Sequence, residues 1–236
     1  MTRIPASAAA VLSTMLWGCG DHEHVQRFET RHETRTLDLD KSEMLRVELH
    51  LGAGELQLSG GSPKLLEAEF TYENPAAKPL VDYHASSFRG DLRISQPSGI
   101  GHLNGGDYKW DVRLNDTRAT DLTAHLGVGE VHMNAGSMNL RSVEIHMGVG
   151  ELHLDLRGTP KRSYDVEIHG GVGEATVYLP RTVGIVARAT GGIGDINVER
   201  LEKRQGYWVN RDHERDPVSI HLNAKGGIGE IRLVAE

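Results

Sequence analysis

A glycine-punctuated phrase of ten residues returns six times along this chain, and that recurrence limits the possible folds more than any other feature. The copies are HLGAGELQLS from His50, HLGVGEVHMN from His125, HMGVGELHLD from His146, HGGVGEATVY from His169, TGGIGDINVE from Thr190 and KGGIGEIRLV from Lys225. Taking Gly52, Gly127, Gly148, Gly171, Gly192 and Gly227 as a common origin aligns them in columns. Five residues before the origin lie Val47, Leu122, Val143, Val166, Ala187 and Leu222. Four after it lie Leu56, Val131, Leu152, Ala175, Ile196 and Ile231. Apolar residues recurring with period two specify a β-strand with one buried face. The phase slips once: inward positions run at odd offsets through Ala53, Val128, Val149, Val172, Ile193 and Ile228, then at even offsets after the acid. A strand changes phase only at a bend or bulge, so the second glycine and the acid mark a corner. Each phrase is expected to be two short strands meeting at a kink, with the residue between the glycines in the core.

A weaker seventh copy, Phe88 to Ile94, keeps a glycine, an acid (Gly90, Asp91) and the following alternation. The base unit is then about 21 to 23 residues, lengthened in three places by roughly 15, and repeats of that period build solenoids whose units cannot bury a face alone. The expected fold is all-β: a single-stranded β-helix or β-roll of about seven short rungs with three long insertions, spanning residues 36–236.

The phrases, together with LLEAEFTY at 65–72, YKWDVRLN at 108–115 and GVGEATVYLP followed by GIVARATGGIGDINV, resemble the toast-rack family over about residues 43–236. Its best-known members are the LiaF-like proteins of bacterial envelope-stress systems. The resemblance implies a stack of short β rungs. It also implies kinship with membrane-bound regulators that restrain a sensor kinase and carry transmembrane helices ahead of the rack. In that place this chain has a different stretch. Arg3 and an apolar run from Ala6 to Leu16 lead into Leu16-Trp17-Gly18-Cys19, which reads as an export signal over residues 1–18. It is similar to a bacterial lipoprotein signal, and the expectation is an acylated Cys19, the chain's one cysteine, followed by a polar tether over residues 19–35. The protein is thus expected to be exported and lipid-anchored at the cell envelope.

A net charge of −7 without any basic run argues against nucleic acid. No GxSxG elbow, Walker-type loop or GxGxxG is present, so neither an enzyme nor a cofactor is expected. The acids Glu55, Asp91, Glu130, Glu151, Glu174, Asp195 and Glu230 form a column. Calcium rolls, however, leave one residue between the last glycine and the acid, and none intervenes here. The expected role is a solvated acid accepting backbone N–H groups at the corner. His50, His125, His146 and His169 make one histidine column, His132 and His153 another; without cysteine or a tight ligand motif inside the repeats, no metal is assigned.

Two further features suggest a partner. Insertion 200–216, with Tyr207, Trp208, Arg211 and His213, is either a recognition loop or a cover for the stack. The chain stops at Glu236 directly after Ile228, Ile231 and Leu233, which leaves a C-terminal edge for that insertion, a second copy or a partner protein to pair with. The leading function is a non-enzymatic envelope lipoprotein serving as an interaction or scaffold module, with a role in stress sensing. The alternative is a carbohydrate-binding or carbohydrate-cleaving solenoid, which would need a groove that pairs Trp110 or Trp208 with close acids.

Overall fold

The structure, a computed structural model, describes residues 29–97, 108–211 and 214–236. The export signal, Cys19 and His213 lie outside the described residues. The strands are β1 (Arg31–Leu37), β2 (Met44–Ser59), β3 (Leu66–Tyr72), β4 (Leu80–Ala85), β5 (Arg89–Ser95), β6 (Lys109–Leu114), β7 (Ala119–Asn134) and β8 (Leu140–Asp155). They continue with β9 (Tyr164–Leu179), β10 (Gly184–Thr190), β11 (Ile196–Glu199), β12 (Glu202–Arg204), β13 (Tyr207–Val209), β14 (Ser219–Lys225) and β15 (Ile228–Ala235). All belong to one sheet.

The expected solenoid is present, and its repeat strands stack parallel and in register, His50 on His125 on His146 on His169. Each rung has an upstream wall before the glycines and a downstream wall after them. Leu45, Val47, Leu49 and Leu51 of β2 point inward from the first wall, Leu56 and Leu58 from the second. Between β7 and β8 only residues 135–139 return the chain to the start of the next rung. Five residues reach at most about 18 Å, so the far ends of the walls lie close together. Ala135, Met138, Leu156 and Val183 of such connections are buried and close the core.

Four details differ from the expectation. The phrases at β2, β7, β8 and β9 are continuous strands of 16 residues that cross the corner unbroken. Only the last two copies are interrupted, between β10 and β11 and between β14 and β15. Residues 31–35, assigned to the tether, are strand: β1 pairs antiparallel with β3, which pairs with β6. The seventh copy was aligned in the wrong half. Gly90 pairs with Leu45 on the upstream wall, and the downstream partner of that rung is β6, so Lys109, not Asp91, stands beside Glu55.

The fourth difference is the order of rungs in space, which runs β5/β6, β2, β7, β8, β9, β14/β15, β10/β11. The first two copies and the last two are each exchanged relative to the chain. Long spacings permit this, because a connection lengthened by about 15 residues can reach past a rung. Hence the C-terminal strand is not an edge. β15 lies between β9 and β11, and β14 between β9 and β10. The edge at that end is β11 below and β10 above, and the hairpin β12–β13 pairs onto β10 through Val186 with Val209 and Ala187 with Trp208.

Two glycine columns make this stacking possible. A Cβ on Gly127 would lie 2.2 Å from the carbonyl oxygen of Gly52, and one on Gly129, whose φ is +148°, would lie 1.8 Å from that of Gly54. The same approach repeats up the stack, with Gly150 over Gly129, Gly173 over Gly150, Gly229 over Gly173 and Gly194 over Gly229, each at 1.8 Å. The carbonyl of one rung occupies the space a side chain would need on the next, so only glycine fits.

Candidate functional site

The outside of the corner carries the chemistry. Val128, Val149, Val172, Ile228 and Ile193, expected in the core, point outward and are between 45% and 71% exposed. A convex corner turns its apex residue to solvent whatever the alternation on either side predicts. Their register is continuous, Ala53 on Val128, Val149, Val172, Ile228 and then Ile193, so they form one apolar ridge along the stack. At about 4.8 Å per rung the five β-branched residues span roughly 20 Å.

Beside the ridge runs the acid ladder, in which Glu55, Glu130 and Glu230 take side-chain partners rather than the expected backbone N–H groups. Residues i and i+2 share a face, so Glu55 accepts from Gln57 at 2.8 Å, Glu130 meets His132 at 2.6 Å and Glu230 accepts from Arg232 at 2.7 Å. Lys109 donates to Glu55 across rungs at 2.8 Å, and that hydrogen bond holds the Glu55 carboxyl below its usual range. Glu230 is lowered in the same way by Asn197 and then Arg232.

Both histidine columns form. His50, His125, His146 and His169 stack with ring centroids 4.7, 4.8 and 5.0 Å apart. His146 lies 2.7 Å from Glu144. Partial burial lowers the affinity of His50 for a proton, and Arg93 and His125 lower it further. On the other side of the corner His132 and His153 stack at 4.8 Å with 4° between their planes. They line an open groove of about 440 Å³ together with Asp111, Arg113, Asp155 and Tyr178.

Among the described residues of insertion 200–216, Tyr207, Trp208 and Arg211 take separate surroundings. Tyr207 is exposed, Trp208 is half-buried against the core with the Lys203 ammonium 5.2 Å from its ring, and Arg211 pairs loosely with Glu202 at 3.9 Å. The segment acts as an edge cover, anchored by Asn210, which donates to the Val183 carbonyl and accepts from the Ile185 N–H. Trp110 is fully buried on β6, edge-on to Phe70 at 5.6 Å, and cannot line a groove. Among the described residues no helix is long and apolar enough to cross a membrane.

With this geometry in view, comparison with known proteins places the chain. The N-terminal domain of toast_rack (DUF2154) matches residues 26–178, and the C-terminal region of the cell wall-active antibiotics response protein LiaF matches residues 127–233. A crystal structure of a candidate cell adhesion protein from Clostridium sporogenes is similar over 88% of this chain and 100% of its own, with 32% identity and a TM-score of 0.85. A candidate adhesin from Bacteroides fragilis matches over 87% of this chain and 97% of its own, but at 11% identity and a TM-score of 0.31 it carries no argument. No curated protein matches the chain in sequence. The chain belongs to the toast-rack family.

Proposed function

We propose that this toast-rack protein is a non-enzymatic cell-envelope lipoprotein, held at a membrane by an acylated Cys19, whose solenoid docks a protein partner. The observation that carries the reading is the apolar ridge from Val128 to Ile193: five large side chains aligned on a solvent-facing corner, flanked by the acid ladder. Contiguous exposed apolar surface rimmed by charge is characteristic of protein-binding sites. The LiaF-like match and the adhesion-type relative support an envelope setting and a binding role over a catalytic one. The carbohydrate alternative loses its main support with the burial of Trp110. The short edge β11, rather than the C-terminal strand, is a second place where another chain can add. A role in envelope stress sensing belongs to the same reading.

A photo-cross-linking residue at Val149, in cells expressing the full chain, tests the docking surface. A discrete protein adduct is expected from Val149 and none from Glu69 on the exposed face of β3. Equal adducts from both positions, or none from Val149, contradict it. Labelled palmitate should enter the wild-type chain and not Cys19→Ala; absence of label from the wild type refutes the anchor.

A further inference from the structure

We propose that Glu130, His132 and His153 form a binding site for a borderline divalent transition metal, with Zn²⁺ the ion that best fits its donors. Strand alternation places Glu130 and His132 on one face of β7, and parallel pairing sets His153 of β8 directly beside His132. One donor atom from each of the three lies within 4.8 Å of the other two, and among the described residues no other group of three potential ligands comes so close. Glu151, paired with Glu130, lies 3.9 Å from His153 and is a fourth candidate ligand.

The two rungs differ from the others in what stands two residues after the acid. Gln57 serves Glu55 with Lys109 beside it, Thr176 follows Glu174 on β9, and Arg232 serves Glu230 with Asn197, so none of those positions offers an imidazole. At β7 and β8 the same position holds an imidazole, a group that can give up its proton and coordinate. Two imidazole nitrogens with one or two carboxylates suit Zn²⁺, with bonds of about 2.0–2.2 Å. Calcium and magnesium prefer all-oxygen sets. Tetrahedral coordination brings two nitrogens to about 3.3 Å, so the rings must tilt toward each other from their present 4.8 Å separation. Both side chains are 42% exposed, which leaves them room to do so and leaves the ion a path in. On binding, the metal takes the place of the proton between His132 Nε2 and Glu130 Oε1, which moves to Nδ1 of a neutral ring or leaves a cationic ring for solvent. The ion would pin adjacent rungs together at the rim of the groove.

Calorimetric titration of the full chain, purified without a histidine tag, with ZnCl₂ tests the site, and CaCl₂ serves as the hard-cation control. The wild type should take up one Zn²⁺ at a distinct tight step and bind no Ca²⁺ there. His132→Gln, His153→Gln and Glu130→Gln should each weaken that step at least about tenfold, whereas His125→Gln and His146→Gln in the four-histidine column should leave it unchanged. NMR of the imidazole groups should show His132 and His153 shifting with the first equivalent of zinc. These side chains are exposed, so melts in EDTA should match the wild type. No zinc step in the wild type, an unaltered step in His132→Gln and His153→Gln, or loss of the step only in the His125 and His146 variants would overturn the proposal.

Discussion

The corner is built in two ways along the stack. In β2, β7 and β8 the residue before the first glycine is Leu51, Leu126 or Met147, a large side chain buried inside the bend. In β9 and the two outer rungs the same position is Gly170, Gly226 or Gly191, and the residue four after the origin shrinks to Ala175 in β9. A small apolar cavity of about 30 Å³ opens there, lined by Met147, Ile168, Gly170, Ala175, Ala224 and Ile231. The strand breaks at the corner only in the outer two of these rungs. The comparison separates two jobs that glycine does in one protein. Columns at and after the origin need glycine because a neighbouring carbonyl fills the space of a side chain, whereas Gly170 before the origin leaves the interior unfilled.

Substituting alanine in each class sharpens that contrast, and the largest effect is expected in the stacking column. Gly150→Ala would place Cβ 1.8 Å from the Gly129 carbonyl oxygen at a φ of +139°. The loss should be about 3 kcal/mol or more, read as a lower denaturation midpoint. A wild-type midpoint would mean the rungs are not in backbone contact there. Gly170→Ala should do the opposite. Its Cβ meets nothing nearer than the Lys225 carbonyl oxygen at 3.8 Å and its φ is not left-handed, so the change restricts the unfolded chain and fills part of the cavity. A gain of about 0.5–1 kcal/mol is expected. Destabilisation by Gly170→Ala would erase the distinction between the two glycine classes.

Much of this architecture was readable from the residues. Period-two alternation in segments such as Leu122, Ala124, Leu126 and then Val131, Met133 gave the two walls, and the phase slip located the corner at the second glycine. In-register stacking followed from the columns, which is why both histidine ladders are where the sequence aligned them. The direction of Val128 and its equivalents was not readable, because alternation assumes a straight strand and the apex of a bend faces out. Burial of Trp110 could have been found in the alternation Trp110, Val112, Leu114, which marks a core strand rather than an insertion. The candidate site was legible in part: His132 and His153 were placed together, but Glu130 was assigned to the backbone, since a column records position and not partner. The exchange of rungs left no local mark, because any two copies of the phrase present the same edges to each other.

That exchange is the central claim about the fold, and engineered disulfides test it directly. In a Cys19→Ser background, Thr176→Cys with Arg232→Cys joins residues paired between β9 and β15, while Thr176→Cys with Asn197→Cys joins β9 to β11, which chain order would make neighbours. Adjacent rungs lie about 4.8 Å apart and next-nearest rungs about twice that, and disulfides need Cα separations of about 4.4–6.8 Å. Mild oxidation of the folded full chain should cross-link the first pair nearly completely and the second hardly at all. Efficient closure of the Thr176–Asn197 pair with failure of the Thr176–Arg232 pair would show that the rungs follow the order of the chain and that the last one is not inserted between its predecessors.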